Sequence, residues 1–238
     1  TFQLMSYVID VARGDRTPEP RFLSFALYPL FWPHLIAGPI VRSHELIPQF
    51  QRVQRFSYET FSEGLKYILY GLFLKVVLAD NMAAFVDEGF STATYLRNSA
   101  LDNWTLAFGF GFQIYFDFAG YSSIAIGSAR LIGIYFPDNF NFPYVASSPR
   151  EFWKRWHITL SSWIRDYLYI PLQGLIPGPS HSTGGLSVVE GDSRSRLEAR
   201  RRNLALLATW MLMGLWHGAA WTFVLWGLWH ALWLLLHR

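Results

Sequence analysis

The stretch NLALLATWMLMGLWHGAAWTFVLWGLWHALWLLL, residues 203–236, runs for 34 positions without an Asp, Glu, Lys or Arg. A single helix through all of it would be about 51 Å long, against roughly 30 Å for the hydrocarbon core of a bilayer. The run must therefore break. Gly214-Leu215-Trp216-His217-Gly218 offers the place, because glycine permits both the turn and a close approach of neighbouring backbone. On that reading His217 lies roughly 21 Å into the segment, about two-thirds of the way through the bilayer.

The rest of the chain repeats the pattern. Residues 104–136 form a predominantly apolar run of 33 positions, also too long for one straight crossing. It must bend, tilt strongly or divide, and Gly109, Gly111, Gly120 and Gly127 supply both break points and close helix contacts. Residues 59–79 read as a cleaner helix whose Lys66 and Lys75 need a protein-facing or snorkelling position. Residues 22–41 are apolar but carry Pro29, Pro33, Gly38 and Pro39, so a broken or re-entrant segment buried in protein is expected there. Charged residues make up 16% of the chain, below the roughly 25% usual for soluble domains, and they gather between the apolar runs. The expected fold is an all-α integral membrane protein, a multi-span helical bundle with broken or re-entrant and amphipathic helices.

Of 20 basic residues 17 are Arg, clustered in the stretches between runs. The segment 172–202 reads as a Gly/Pro/Ser loop ending in Arg194, Arg196, Arg200, Arg201 and Arg202, a cytoplasmic signature. By the same rule 42–58 is an inner loop and the acidic stretch 80–103 an outer one. A net charge of +3 in this arrangement suits anionic lipid headgroups better than nucleic acid, since no basic stripe accompanies a recognisable fold. The absence of cysteine excludes disulfides, thiolate metal sites and a cysteine nucleophile. The chain opens at Thr1 without an initiator Met and closes at Arg238 behind an apolar run, so residues 1–238 are expected to be one partial domain, an internal piece of a longer chain.

Residues 148–171 differ in character. Ser148-Pro149-Arg150-Glu151 is a capping-box pattern with Pro at the first helical position. Beyond it Trp153, Trp156, Leu160, Trp163, Ile164 and Tyr167 fall on one face, with Glu151, Lys154, Arg155, Arg165 and Asp166 largely opposite. This predicts one amphipathic helix at the membrane interface or lining a polar cavity.

An ionisable residue deep in a membrane segment is costly and suggests function. His217 fits best, and its apolar setting favours neutral imidazole, the form able to take a proton from a hydroxyl. Position alone also allows a neutral histidine donating to a neighbouring carbonyl. His157 projects into the apolar arc of the predicted helix, where a packed structural histidine is the ordinary reading. His230 and His237 suit interface anchoring, His34 stands in the proline-broken segment, and His44 and His181 are loop residues. Asp117 either lines the catalytic cavity, pairs with a Lys or Arg, or caps a break near Gly120, and Arg165 with Asp166 suggests a polar network. No phosphate-binding loop, G-x-S-x-G elbow or H-E-x-x-H pair is present, and no histidine pair has metal-binding i,i+4 spacing, so no metal site is expected.

Phe152-Trp153-Lys154-Arg155-Trp156-His157-Ile158-Thr159-Leu160-Ser161-Ser162-Trp163, followed by Arg165-Asp166-Tyr167-Leu168-Tyr169-Ile170-Pro171, resembles the signature of membrane-bound O-acyltransferases. Gly214-Leu215-Trp216-His217-Gly218-Ala219-Ala220-Trp221 is similar to that family's catalytic histidine motif. Leu35-Ile36-Ala37-Gly38-Pro39-Ile40-Val41-Arg42 and Gln113-Ile114-Tyr115-Phe116-Asp117-Phe118-Ala119-Gly120-Tyr121-Ser122 resemble its bacterial branch, in details nearer the alginate-type polysaccharide acetylation proteins. The stretch after Leu172-Gln173-Gly174 is longer and richer in Gly and Ser than that pattern.

The resemblance implies a helical bundle around a central funnel, with His217 as catalytic base and His157 as second active-site histidine. It implies an acyl thioester donor, acetyl-CoA or a relative, used as substrate with no tightly bound cofactor. The acceptor would be a hydroxyl of an exported polysaccharide, and a periplasmic acetyltransferase would be the partner protein. The location would be the bacterial inner membrane, multi-pass and among lipid, with no nucleic acid. D-alanyl transfer from a carrier protein to teichoic acid, and a non-catalytic conduit or scaffold for a partner transferase, are the alternatives.

Overall fold

The computed structural model describes residues 2–91, 94, 96–174 and 196–237, with side chains from 198 onward in the last stretch. Among the described residues every regular element is helical, as expected. The chain packs as two compact units, Thr1–Pro18 with Asn139–Arg238, and Glu19–Asp138. Helix α1 (Phe2–Ala12) belongs to the first.

In the Glu19–Asp138 unit, α2 (Phe22–Leu30) gives way at Phe31 to a 3-10 turn at Trp32–His34, the interruption its prolines predicted. Residues 43–50, expected as part of a loop, form α3 (Ser43–Phe50). Ser57 caps α4 (Tyr58–Leu72), accepting from the Thr60 amide at 3.4 Å. The helix then widens into a π-helical stretch, Phe73–Ala79, and continues as α5 (Asp80–Gly89). The first part of the acidic stretch 80–103 is thus helix, carried onward by the preceding turns. A reciprocal cap between Ser99 and Asp102 starts α6 (Ala100–Leu131).

Helix α6 runs 32 residues, about 48 Å, without dividing. Gly120 and Gly127 serve contact. A Cβ on Gly71 would lie 2.5 Å from the Gly120 carbonyl oxygen, and one on Gly64 would lie 2.8 Å from that of Gly127. Two glycines seven residues apart on α4 meet two seven apart on α6, antiparallel, so the backbones touch.

Among the described residues one helix, Tyr58–Gly89, is long and apolar enough to cross a membrane; Phe2–Ala12 and Trp221–Leu236 are apolar but shorter. The expectation of several spans narrows accordingly: α6 draws much of its bulk from aromatic, glycine and serine residues, and the last long helix starts among arginines. The core is mostly apolar, but hydroxyl side chains share it and large apolar side chains also lie outside it. Ser6, Ser43, Ser122, Thr159 and Thr209 are buried, while Phe22, Ile36 and Trp221 are each more than 80% exposed.

In the other unit, the amphipathic segment is interrupted rather than continuous. Ser148 accepts from the Glu151 amide at 3.2 Å and starts α7 (Pro149–Arg155), while the Glu151 carboxylate reaches Ser147. The chain breaks at Trp156-His157 and restarts as α8 (Ile158–Ile164), a π-helical stretch (Arg165–Tyr169) and α9 (Ile170–Leu172). Residues 175–195, with His181 and Arg194, lie outside the described residues. Arg200, Arg201 and Arg202, expected in a loop, sit in α10 (Arg196–His217), which suits a residue of good helix propensity. Helix α10 stops at His217, residues 218–220 turn, and α11 (Trp221–Leu236) follows; the break falls in the Gly214–Gly218 motif as expected. A Cβ on Gly214 or on Gly227 would collide with a carbonyl of the facing helix, so these glycines let α10 and α11 meet.

Candidate active site

Residues 139–141 create the break at His157. In a continuous helix the Arg155 carbonyl would accept from Thr159, and the Ile158 amide would donate to Lys154. Instead the Asn141 amide donates to the Arg155 carbonyl and the Ile158 amide donates to the Asn139 carbonyl, each at 2.9 Å. Arg155 reinforces the lacing, donating to the Asn141 carbonyl at 3.1 Å and pairing with Glu151 at 2.8 Å. His157 is left at φ 42°, ψ 55°, a left-handed conformation uncommon outside glycine and typical of functional sites when other contacts over-determine it. The helical-wheel placement of His157 in an apolar arc is therefore corrected, since the helix it assumed does not pass through this residue.

The His157 ring is partly buried and stacks on Phe140 at 6.5 Å between centroids. Its Nδ1 lies 2.9 Å from Oδ1 of Asn139, a side chain only 1% exposed. The same oxygen accepts from the Thr159 hydroxyl at 2.9 Å and the Thr159 amide at 3.4 Å. Desolvation holds the imidazole far below its ordinary value, at about 3, and a charge on His217 pushes the same way. The two histidines named from the sequence thus come within electrostatic reach in one unit.

His217 ends α10 at the apex of the α10–α11 hairpin and is exposed in this chain. Aromatic rings frame it: Trp216 at 4.7 Å and Trp226 at 5.0 Å edge-on, with Phe223 stacked at 6.4 Å. Phe2 packs on both Trp163 and Trp216, and the Trp163 indole donates to the Phe2 carbonyl at 3.0 Å, so α1 ties α8 to the end of α10. His230, one turn beyond Trp226, lies among Trp153, Trp210 and Trp226 at 5.1, 5.4 and 4.7 Å, a packed position rather than an interface anchor. His237 stacks on Trp233.

The other candidates have structural surroundings. Asp117 pairs with Lys75 at 2.5 Å, and Lys75 also meets Asp80 at 2.7 Å. His34 is buried between Phe31 and Phe136, and His44 stands beside Glu45 in α3. Arg165 and Asp166 form a buried pair at 2.7 Å. A cavity of about 270 Å³ beside Arg55, Thr60, Arg130 and Tyr135 contains no histidine. Asn139 is the site residue that sequence reasoning missed; its signal was a polar Asp138-Asn139-Phe140-Asn141 stretch just ahead of the Ser148 cap.

A match to the membrane-bound O-acyltransferase family covers residues 14–186, most of the chain and the whole of the His157 motif. The chain belongs to the membrane-bound O-acyltransferase family. Similarity to individual members extends beyond the matched residues to the His217 hairpin. The chain is 41% identical to a probable alginate O-acetylase, AlgI, of Azotobacter vinelandii, over 100% of this chain and 43% of the relative. It is 43% identical to a peptidoglycan O-acetyltransferase of Helicobacter pylori, over 100% of this chain and 46% of the relative. A teichoic acid D-alanyltransferase of Streptococcus thermophilus is 27% identical over 100% of this chain and 55% of its own length. The chain thus spans about half the length of these acyltransferases or less.

Proposed function

We propose that this chain carries the acyl-transfer site of an O-acetyltransferase that modifies an exported polysaccharide, with His217 as general base and His157 as its companion. The observation that carries the reading is that each of these two histidines stands at a helix interruption of the same unit, with His217 close enough for its charge to act on His157.

In the proposed reaction His217 takes the proton of the acceptor hydroxyl as its oxygen attacks the thioester carbonyl. The C–O bond forms, the C–S bond breaks, and the departing thiolate recovers the proton from the imidazolium. His157 orients the substrate or polarises the path to His217. The donor is an acetyl thioester such as acetyl-CoA, arriving as substrate from the cytoplasmic side. A periplasmic acetyltransferase is the proposed partner, and the bacterial inner membrane, crossed several times by the whole protein, the proposed location.

Two O-acetyl-transferring relatives at 41% and 43% identity, against 27% for the D-alanyltransferase, favour acetyl as the group moved. Their names differ in acceptor, alginate or peptidoglycan, at nearly equal identity, so the proposal stops at a polysaccharide hydroxyl. In the full-length, membrane-inserted protein His217→Ala is expected to lower polysaccharide acetylation by about 10²–10⁴-fold at unchanged protein level. Near-normal acetylation would overturn the assignment and leave a conduit or scaffold; D-alanyl ester in place of acetyl ester would overturn the choice of acyl group.

A further inference from the structure

We propose that Asn139 is a positioning residue that fixes His157 as its Nδ1–H tautomer, leaving Nε2 as the basic nitrogen. The inference rests on the reading that His157 serves the transfer site.

Thr159 fixes which atom of Asn139 faces the ring. A backbone N–H can only donate, so the Asn139 atom it meets is the amide oxygen, an acceptor. That same oxygen stands 2.9 Å from Nδ1 of His157. Since the oxygen has no proton to give, the ring must supply it, and the proton sits on Nδ1. A neutral imidazole carries one N–H, so its lone pair is on Nε2. The Thr159 hydroxyl and amide hold the oxygen in place independently of the histidine. The backbone carbonyl of the same Asn139 takes the Ile158 amide at the helix break. One buried residue therefore sets both the backbone turn and the ring's protonation pattern.

Chemically, a histidine locked this way accepts a hydrogen bond at Nε2. It can hold the acceptor hydroxyl or the N–H of His217, whereas the other tautomer would donate there. The wrong tautomer in a catalytic array costs orders of magnitude in rate with little change in geometry.

The test measures kcat and KM for acetyl transfer in the full-length protein in membranes. Asn139→Leu removes the acceptor and is expected to lower kcat on the order of 10²-fold while KM stays within about threefold. Asn139→Asp keeps an acceptor but adds charge. It should hold kcat within about tenfold of the parent and move the acid limb of the kcat–pH profile upward, because a carboxylate beside Nδ1 favours the imidazolium. Phe140 also meets the His157 ring, and Thr159 meets the same Asn139 oxygen. The titratable group facing it is His217, whose protonation acts in the opposite sense. An inserted Asn139→Leu protein with parental kcat, or an Asn139→Asp profile that does not move, would overturn the inference. Should Asn139→Leu fail to insert, the Asn139→Asp profile decides. His157→Ala in parallel separates the levels: parental activity there removes the premise, while loss there beside full activity in Asn139→Leu removes only the role of Asn139.

Discussion

The paired helices of the Glu19–Asp138 unit and the interrupted helices of the other unit use glycine and charge in opposite ways. Tyr58–Gly89 and Ala100–Leu131 stay helical over 32 residues each, and Gly64, Gly71, Gly120 and Gly127 are covered by the facing backbone. Their ionisable groups answer one another, Lys75 with Asp117 and Asp80. In the Asn139–Leu236 region the helices stop at both candidate histidines, and at His157 residues 139–141 take over released backbone groups. On the proposed reading, continuous helix makes a frame and interrupted helix makes a place for chemistry. A histidine at a helix end can turn its ring toward substrate, while one inside a packed pair would meet only its neighbours.

The largest effect that would sharpen this contrast is at His157. His157→Gly removes the ring but suits the left-handed backbone, so acetyl transfer should fall by about 10²-fold or more while thermal stability holds. A loss of folded protein equal to the loss of activity would mean that the ring is structural. The second effect lies in the paired helices. Gly71→Val pushes side-chain atoms into the Gly120 carbonyl and should cost about 1–3 kcal/mol in denaturation of the purified protein. Gly109→Ala, whose Cβ meets Val86 at 3.3 Å, should be nearly neutral. Equal responses at the two glycines would break the packing account. The smallest effect is at Asp117. Its pair with Lys75 is about half exposed, so Asp117→Asn should shift stability by at most about 1 kcal/mol and leave transfer within about threefold. A large loss of activity would move Asp117 into the site.

Much of this was legible in the sequence. The 34-residue run had to break, and glycines on either side of His217 marked the place. Ser148 and Pro149 announced a helix start, and four motifs in family order named both histidines. What could not be read depends on distant partners. Nothing local marks a break at Trp156-His157, because residues 139–141, well upstream, impose it. Glycines in residues 104–136 fit breaks as well as contacts until Gly64 and Gly71 stand opposite them. The acidic stretch and the arginine run read as loops by charge, yet both carry helix, since charge alone does not end one.

On the proposed reading the two interruptions build one site, so that His157 and His217 act together. The direct measurement is acetyl transfer by His157→Ala, His217→Ala and the double variant of the full-length protein at equal membrane levels. Residues that act as a unit are non-additive, so the double variant should be no slower than the worse single variant by more than about threefold. Single losses that multiply in the double variant would contradict the account, because the histidines would then act independently.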